Sequence, residues 1–209
     1  MSVLAVVPAT LVILAGGESR RMGRPKALLP VAGTTLIEWQ LSRLAPHFVH
    51  CLVAARSPEQ VPPHLRDLVV CDLRPDRSGP LAGIEAGLRG AVDDVVVVVA
   101  CDMPRVTLDL LRRLAAAAGP DVDAAVPRVE GRPEPACAAY RGSAAGPIGA
   151  ALRAGRRRAA DALGNLRVRW LESENPELFT NLNTPAEYHA FVERFVSMGA
   201  LTSVLARTD

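Results

Sequence analysis

Short apolar runs alternate with amphipathic stretches along most of this chain. Leu11–Leu14, Val49–Ala54, Leu68–Cys71 and Val95–Ala100 carry strand character. The last is Val-Val-Val-Val-Val-Ala, β-branched and without polar alternation. Such a run needs both faces covered and predicts a central strand of a parallel sheet. Helical patterns lie between the runs. Thr35-Leu36-Ile37-Glu38 is a capping box, followed by Ile37, Leu41 and Leu44 on one face. Pro80 suits a first helical position ahead of Leu81, Ile84 and Leu88. Thr107 caps a stretch carrying Leu108, Leu111 and Leu114. Strand–helix alternation of this kind predicts an α/β fold, doubly wound, with a mostly parallel sheet and helices on both faces.

The second half is more punctuated. Pro127 to Pro135 contains Gly131 and Pro133 and reads as a loop that opens a smaller part of the chain. Ala136–Tyr140 reads as a short strand, and Ile148 to Leu163 as helix with a break near Gly155. Leu166–Leu171 alternates apolar and basic residues, the mark of a half-exposed strand. Thr184-Pro185-Ala186-Glu187 is a second capping box, with Tyr188, Phe191, Val192 and Phe195 on one helix face. The pattern fades after Val196. The reading is one domain over 1–196 and a tail over 197–209.

A length of 209 residues is enough to bury a sizeable core. The net charge of +2 is too small for a nucleic-acid coat. Arginine gathers instead at Arg20-Arg21-Arg24 and at Arg153 and Arg156-Arg157-Arg158, clusters that suit small anions. Cys51, Cys71, Cys101 and Cys137 form no C-x-x-C pair, which argues against a zinc site or dithiol centre. The apolar settings of Cys51, Cys71 and Cys101 suit a reducing compartment. The start lacks a basic segment ahead of its apolar stretch, so no signal peptide is expected. No uncharged stretch reaches the roughly 20 residues of a membrane span. The expectation is a cytoplasmic protein with neither a membrane nor a nucleic-acid partner.

The chemistry concentrates after the first strand. Leu14-Ala15-Gly16-Gly17-Glu18-Ser19-Arg20-Arg21-Met22-Gly23-Arg24-Pro25-Lys26 joins a glycine turn to a set of cations. Glycines let backbone N–H groups approach phosphate oxygens, and Arg20 and Lys26 would neutralise a triphosphate. The spacing is neither a P-loop, where Ser or Thr follows the lysine, nor G-x-G-x-x-G. Ligands of open α/β sheets bind beyond the carboxyl ends of the strands. Gly16, Gly17, Asp72 and Asp102 all fall just past such an end. A carboxylate at Asp102, after the most apolar strand, is costly unless paired or bound to a cation. Mg²⁺ prefers one or two carboxylates together with substrate phosphates. A turn aspartate ahead of Pro104 is the alternative. The histidines show no metal-ligand spacing, and no serine has an evident histidine partner.

These residues also carry a resemblance. L-A-G-G-x-S-x-R-M-G-x-x-K resembles the signature loop of nucleotidyltransferases that activate sugars and cofactors. Ser78-Gly79-Pro80-Leu81-Ala82-Gly83, Cys101-Asp102-Met103-Pro104 and Asn181-Leu182-Asn183-Thr184-Pro185 follow in the same order. Together they resemble the molybdenum cofactor guanylyltransferase family over nearly the whole chain. The resemblance implies a Rossmann-like nucleotidyltransferase fold that moves GMP from GTP to the phosphate of molybdopterin. It implies a nucleotide-binding half over about 9–126 and an acceptor-binding part over about 127–196.

Lys26, Arg20 and Asp102 would then be catalytic, with Asp102 holding Mg²⁺. Leu14, Ala15, Gly16, Gly17, Asp72 and Gly79 would join Lys26 and Asp102 in binding nucleotide. Asn181 and Asn183 would face the acceptor. Arg156 is a candidate for the acceptor's phosphate, though its cluster reads equally as an exposed basic face. Pro25 stands where the family often has Asp, and no asparagine in Val53-Ala54-Ala55-Arg56 matches a guanine contact of relatives. Cytidylyl transfer to the same cofactor, a sugar-phosphate enzyme and a non-catalytic nucleotide-binding protein are the rival readings. Leu14-Ala15-Gly16-Gly17 resembles the guanylyl branch. Contacts with other cofactor-biosynthesis proteins or recipient molybdoenzymes would be transient.

Overall fold

The structure is a computed structural model that describes residues 6–16, 24–72 and 79–194. In chain order the elements are β1 (Val7–Leu14), β2 (Pro30–Val31), β3 (Thr34–Thr35), α1 (Leu36–Leu44), β4 (Phe48–Ala55) and β5 (Val69–Cys71). There follow α2 (Gly79–Gly90), β6 (Val95–Ala100), α3 (Leu108–Ala117), β7 (Ala124–Val129), β8 (Arg132–Pro133) and β9 (Cys137–Arg141). The remainder are α4 (Ala145–Arg153), α5 (Ala159–Leu163), β10 (Val168–Glu172) and α6 over 185–194. Phe195 and the expected tail lie outside the described residues.

Eight strands form one sheet in the order β10-β7-β9-β6-β1-β4-β5, with β8 paired to β7. β5, β4, β1 and β6 are mutually parallel, whereas β9 runs antiparallel to both β6 and β7. The sheet is continuous through both halves of the chain. Apolar strands at its centre bury both faces. Leu11, Ile13, Val97 and Val99 pack against Ile37, Leu41 and Leu44 of α1 and Leu111 and Leu114 of α3. Val12, Leu14, Val96 and Val98 point the other way, against Leu81, Ile84 and Leu88 of α2 and Ile148 and Leu152 of α4. This is the predicted doubly wound arrangement, with helices on both faces. A Cβ placed on Gly87 of α2 would come within 2.8 Å of Val12 Cγ1, so that glycine sets how closely α2 lies on β1.

The first capping box forms as expected. Glu38 N donates to Thr35 Oγ1, and Thr35 N donates to Glu38 Oε2. Thr107 caps α3 through Leu110 N, and the break at Gly155 has φ +76°. At the second box, Glu187 N donates to Thr184 Oγ1. The helix starting near Pro80 begins one residue earlier, at Gly79.

Pro127 to Pro135 departs from the expected loop. Its first residues finish β7, and a tight hairpin follows, with Val129 paired to Arg132 across Glu130 (φ 50°) and Gly131 (φ 77°). Two successive left-handed residues make the turn type that two-residue hairpins favour. Pro127 would ordinarily argue against a strand. The last β7–β9 pair is Ala125 with Ala139, so Pro127 lies past the point where that ladder asks for an N–H. β7 and β9 separate there, and Glu134 N donates to Pro127 O in the gap.

Candidate active site

The sheet's parallel strands all deliver their carboxyl ends to one edge, where a cavity of about 480 Å³ opens. Its lining draws on five neighbouring strands. Gly16 follows β1, Arg56 follows β4, Asp72 follows β5 and Asp102 follows β6, while Glu134 and Ala136 precede β9. Leu14, Lys26, Gly79, Asn181 and Asn183 complete the predicted set in that lining, with Gly83 and Met103 beside them. Ala15 is buried beneath, its N–H bonded to Ala54 O. Gly17 and Arg20 lie outside the described residues. Arg156 does not line the cavity; it is exposed, and its Nη1 donates to Asp161 O at 3.2 Å.

Three polar side chains meet at the centre. Lys26 Nζ donates to Asp102 Oδ2 and to Asn183 Oδ1, each at 2.7 Å. Lys26 sits on a single 3₁₀ turn after Pro25 and is only 9% exposed. A lysine this buried needs its charge matched. Asp102 supplies the match, and the Asn183 amide oxygen satisfies a second ammonium proton.

Each member is fixed by its own element. Ala100 N donates to Ala136 O and Cys101 N to Leu14 O, so the strand end is held from both sides. Gln40 of α1, fully buried, donates to the carbonyls of Ala100 and Cys101. Arg43 one turn later donates to Pro104 O and Val106 O. Helix α1 therefore clamps the backbone on both sides of Asp102. Asn183 arrives from the far end of the chain. Leu182 is 2% exposed in a small core with Leu29, Val31, Leu36, Trp39 and Phe191, and its N–H donates to Asp102 O at 2.9 Å. That satellite core joins the β2–β3 hairpin, α1 and α6, and it carries Lys26 and Asn183 to the same spot.

One side of the cavity is lined by small groups: Gly16, Ala54, Ala55, Gly79 and Gly83. Gly79 has φ +64°, and a Cβ there would meet Arg157 O at 3.0 Å, so a side chain would be both strained and crowded. The α4–α5 linker thus touches the start of α2 through the backbone of Arg157. The basic cluster meets α2 here through its main chain, while the Arg156 guanidinium bonds Asp161 O and does not line the cavity.

Arg56 and Glu134 were not singled out from sequence. Arg56 follows a strand end, a signal available in principle. Glu134 precedes an antiparallel strand, and the rule that ligands gather at carboxyl ends does not reach it. Burial raises its carboxyl above the usual range. Burial also pushes the Cys51 thiol up to about 12 and raises that of Cys101 beside Asp102, so neither is a thiolate at neutral pH. Cys101 and Cys137 are buried, while Cys51 and Cys71 are half-buried.

Asp72, Asp102 and Glu134 line the cavity beside three different strands, a spread that suits a metal arriving with phosphates better than a preformed protein cage. Among the described residues no group of three or more His, Cys, Asp or Glu forms such a cage, and no helix is long and apolar enough to cross a membrane.

Residues 11–173 match the MobA-like NTP transferase domain, and the chain belongs to that family. It is 33% identical over 193 residues to a probable molybdenum cofactor guanylyltransferase of Carboxydothermus hydrogenoformans, covering 89% of this chain and 96% of that one. A protein of the same description from Bacillus cereus is 32% identical over 184 residues, 85% of this chain and 92% of the relative. Among solved structures, molybdopterin-guanine dinucleotide biosynthesis protein A from Archaeoglobus fulgidus superposes with a TM-score of 0.76. That protein is 30% identical, with 90% of this chain and 99% of the other covered.

Proposed function

We propose that this protein transfers GMP from GTP to the terminal phosphate of molybdopterin, with release of pyrophosphate. The observation that carries this reading is the junction of Lys26, Asp102 and Asn183 at the middle of one cavity. The glycine-lined side accepts the nucleotide, and the side next to Asn181 and Asn183 accepts the pterin phosphate. An oxygen of the acceptor phosphate bonds to the α-phosphorus of GTP. The bond from that phosphorus to the bridging oxygen breaks, and its electron pair leaves with pyrophosphate.

A phosphate nucleophile is already ionised near neutral pH, so no side chain need remove a proton. Alignment and neutralisation of charge are what remain for the protein to supply. Lys26 would exchange Asp102 for the triphosphate, with Arg20 of the glycine turn as a second cation. Asp102 would hold Mg²⁺, which when bound withdraws charge from the phosphates. Leu14, Gly16, Gly79 and Asp72 would border the nucleoside. The reaction belongs in the cytoplasm, where GTP is available.

Pyrophosphate release measured with GTP, CTP and UTP, each with and without molybdopterin and with and without Mg²⁺, tests the reading. Release with GTP that needs both acceptor and metal is expected. Preference for CTP would replace guanylyl by cytidylyl transfer. Tight GTP binding without release would indicate a non-catalytic protein.

A further inference from the structure

Glu134 is the one carboxylate of the cavity that the proposed chemistry leaves without a task. Its backbone is held firmly. Glu134 N donates to Pro127 O at 2.9 Å, Cys137 N donates to Glu134 O at 3.0 Å, and Ala136 O accepts from Ala100 N at 2.8 Å. The buried Tyr140 hydroxyl donates to Pro135 O at 2.7 Å. All four bonds fix main chain. Among the described residues no hydrogen bond or ion pair engages the Glu134 carboxylate, although it is half-buried in the cavity wall. Burial has raised its pKa with no partner to offset the loss of water. A desolvated carboxylate on a rigid backbone, facing an open cavity, lacks donors that a ligand can bring.

Position narrows the ligand. Along the sheet edge the order is β5, β4, β1, β6, β9. Asp72 stands at one end and Glu134 at the other, with Asp102 one strand from Glu134. Four inter-strand steps of about 4.8 Å give a cleft roughly 19 Å across. That length suits an extended dinucleotide whose phosphates cross the Lys26–Asp102 junction. The end next to Glu134 then receives the acceptor's ring system. A pterin carries an aminopyrimidinone edge, on which a ring N–H and an exocyclic amino group lie side by side as donors. The two oxygens of a carboxylate accept from such a pair together, and each is satisfied at once.

We propose that Glu134 is the specificity-determining residue for the acceptor, taking the aminopyrimidinone edge of the pterin in a two-point hydrogen bond. This rests on the functional reading above. Glutamine at the same place would present one donor and one acceptor. It would lose the amino group and match instead an edge with an oxo group, as in lumazine, the dioxo analogue of pterin.

The test is direct binding of free pterin and free lumazine, followed by ring fluorescence, to the wild-type protein and to Glu134→Gln. Wild type is expected to prefer pterin by tenfold or more. Glu134→Gln is expected to abolish or reverse that preference while GTP affinity stays within twofold. Equal affinity of wild type for the two rings overturns the assignment without any variant, so misfolding of the variant leaves the proposal falsifiable. Unchanged ring preference in Glu134→Gln overturns it as well. A loss of GTP or Mg²⁺ affinity with ring binding intact would move Glu134 to the nucleotide or the metal, and so also overturns it. The functional reading fails separately, by absence of molybdopterin-dependent pyrophosphate release from GTP in wild type.

Discussion

Asp102→Ala should separate structure from chemistry at the centre of the cavity. Asp102 is the charged acceptor for Lys26, a residue that is 9% exposed, and its own side chain is 20% exposed. Losing a hydrogen bond to a charged group costs about 1.5–3 kcal/mol. Stranding a fully buried charge costs more, about 3–5 kcal/mol. The lower range applies here, because the Asn183 amide still accepts from Lys26 and the cavity admits water to the vacated side. For a chain of this size about 2–4 °C accompanies each kcal/mol, so the melting temperature should fall by roughly 3–12 °C. Turnover should fall much further, by at least about a hundredfold, because electrostatic groups aimed at a reacting phosphate contribute that much or more. Metal-free GTP should bind more tightly, since Lys26 no longer has a competing anion. The assays are a thermal melt without ligand, pyrophosphate release with GTP, Mg²⁺ and molybdopterin, and GTP titration in chelator. A melting temperature within 1 °C of wild type and turnover within threefold, roughly the noise of such assays, would refute both the pair and the role given to Asp102.

Lys26→Met should lower nucleotide affinity and rate together, because the same charge opposes the triphosphate before and during transfer; unchanged GTP affinity and rate would contradict it. Asn183→Ala should weaken GTP and molybdopterin alike, each by about three- to thirtyfold, since its amide bonds Lys26 and lines the cavity on the side proposed for the acceptor. An effect confined to stability would make Asn183 a helix-entry residue only. Gly87→Ala should cost about 1–3 kcal/mol and raise the KM for GTP, because the new methyl forces α2, with Gly79 and Gly83, away from β1; chemical denaturation checks it. Asp123 accepts from Ser143 and from the backbone and guanidinium of Arg167, which hold its carboxyl well below the usual range. A depressed carboxylate contributes stability that is fully present above its unfolded value, near pH 3.9, and is lost as pH falls below it. Asp123→Asn should therefore be less stable than wild type at pH 7, and the two stability curves should converge in acid.

The parallel half of the fold was legible because its strands are buried on both faces. A run such as Val95–Ala100 has no other economical reading, and capping boxes at Thr35 and Thr184 mark helix starts by local chemistry alone. The cavity was legible for the same reason, since ligand groups at carboxyl strand ends can be placed once the strands are known. β7 was missed because its ladder is short and alanine-rich and carries Pro127 where no donor is needed. The Glu130-Gly131 turn was the clue available in the sequence. Glu134 was missed because it sits at the entry of an antiparallel strand. The bond from Lys26 to Asn183 spans 157 positions, and no local pattern reports which distant amide faces a given lysine. Arg156 shows the converse limit: a cluster of like charge marks a surface, while the direction of each guanidinium is decided by packing.

The Lys26–Asp102 pair also bears on the order in which ligands are accepted. Each partner is matched by the other, so their charges offset at the centre of the cavity. A nucleotide without metal would take Lys26 and leave Asp102 facing phosphate oxygens, two like charges in a partly dry space. A metal without nucleotide would take Asp102 and leave a buried ammonium with only an amide. The metal–nucleotide complex would satisfy both at once, as cation to carboxylate and phosphate to ammonium. On the proposed reading the pair would oppose either component alone and favour the two together, a coupling that would arise from mutual neutralisation and require no movement of the sheet. Asn183 would extend this coupling to the proposed acceptor side. It holds Lys26 through its amide oxygen, and its own N–H is fixed by Glu187 at the start of α6. On that reading, seating the nucleotide would act directly on a residue proposed to border the second substrate, which is what a transfer between two bound phosphates requires.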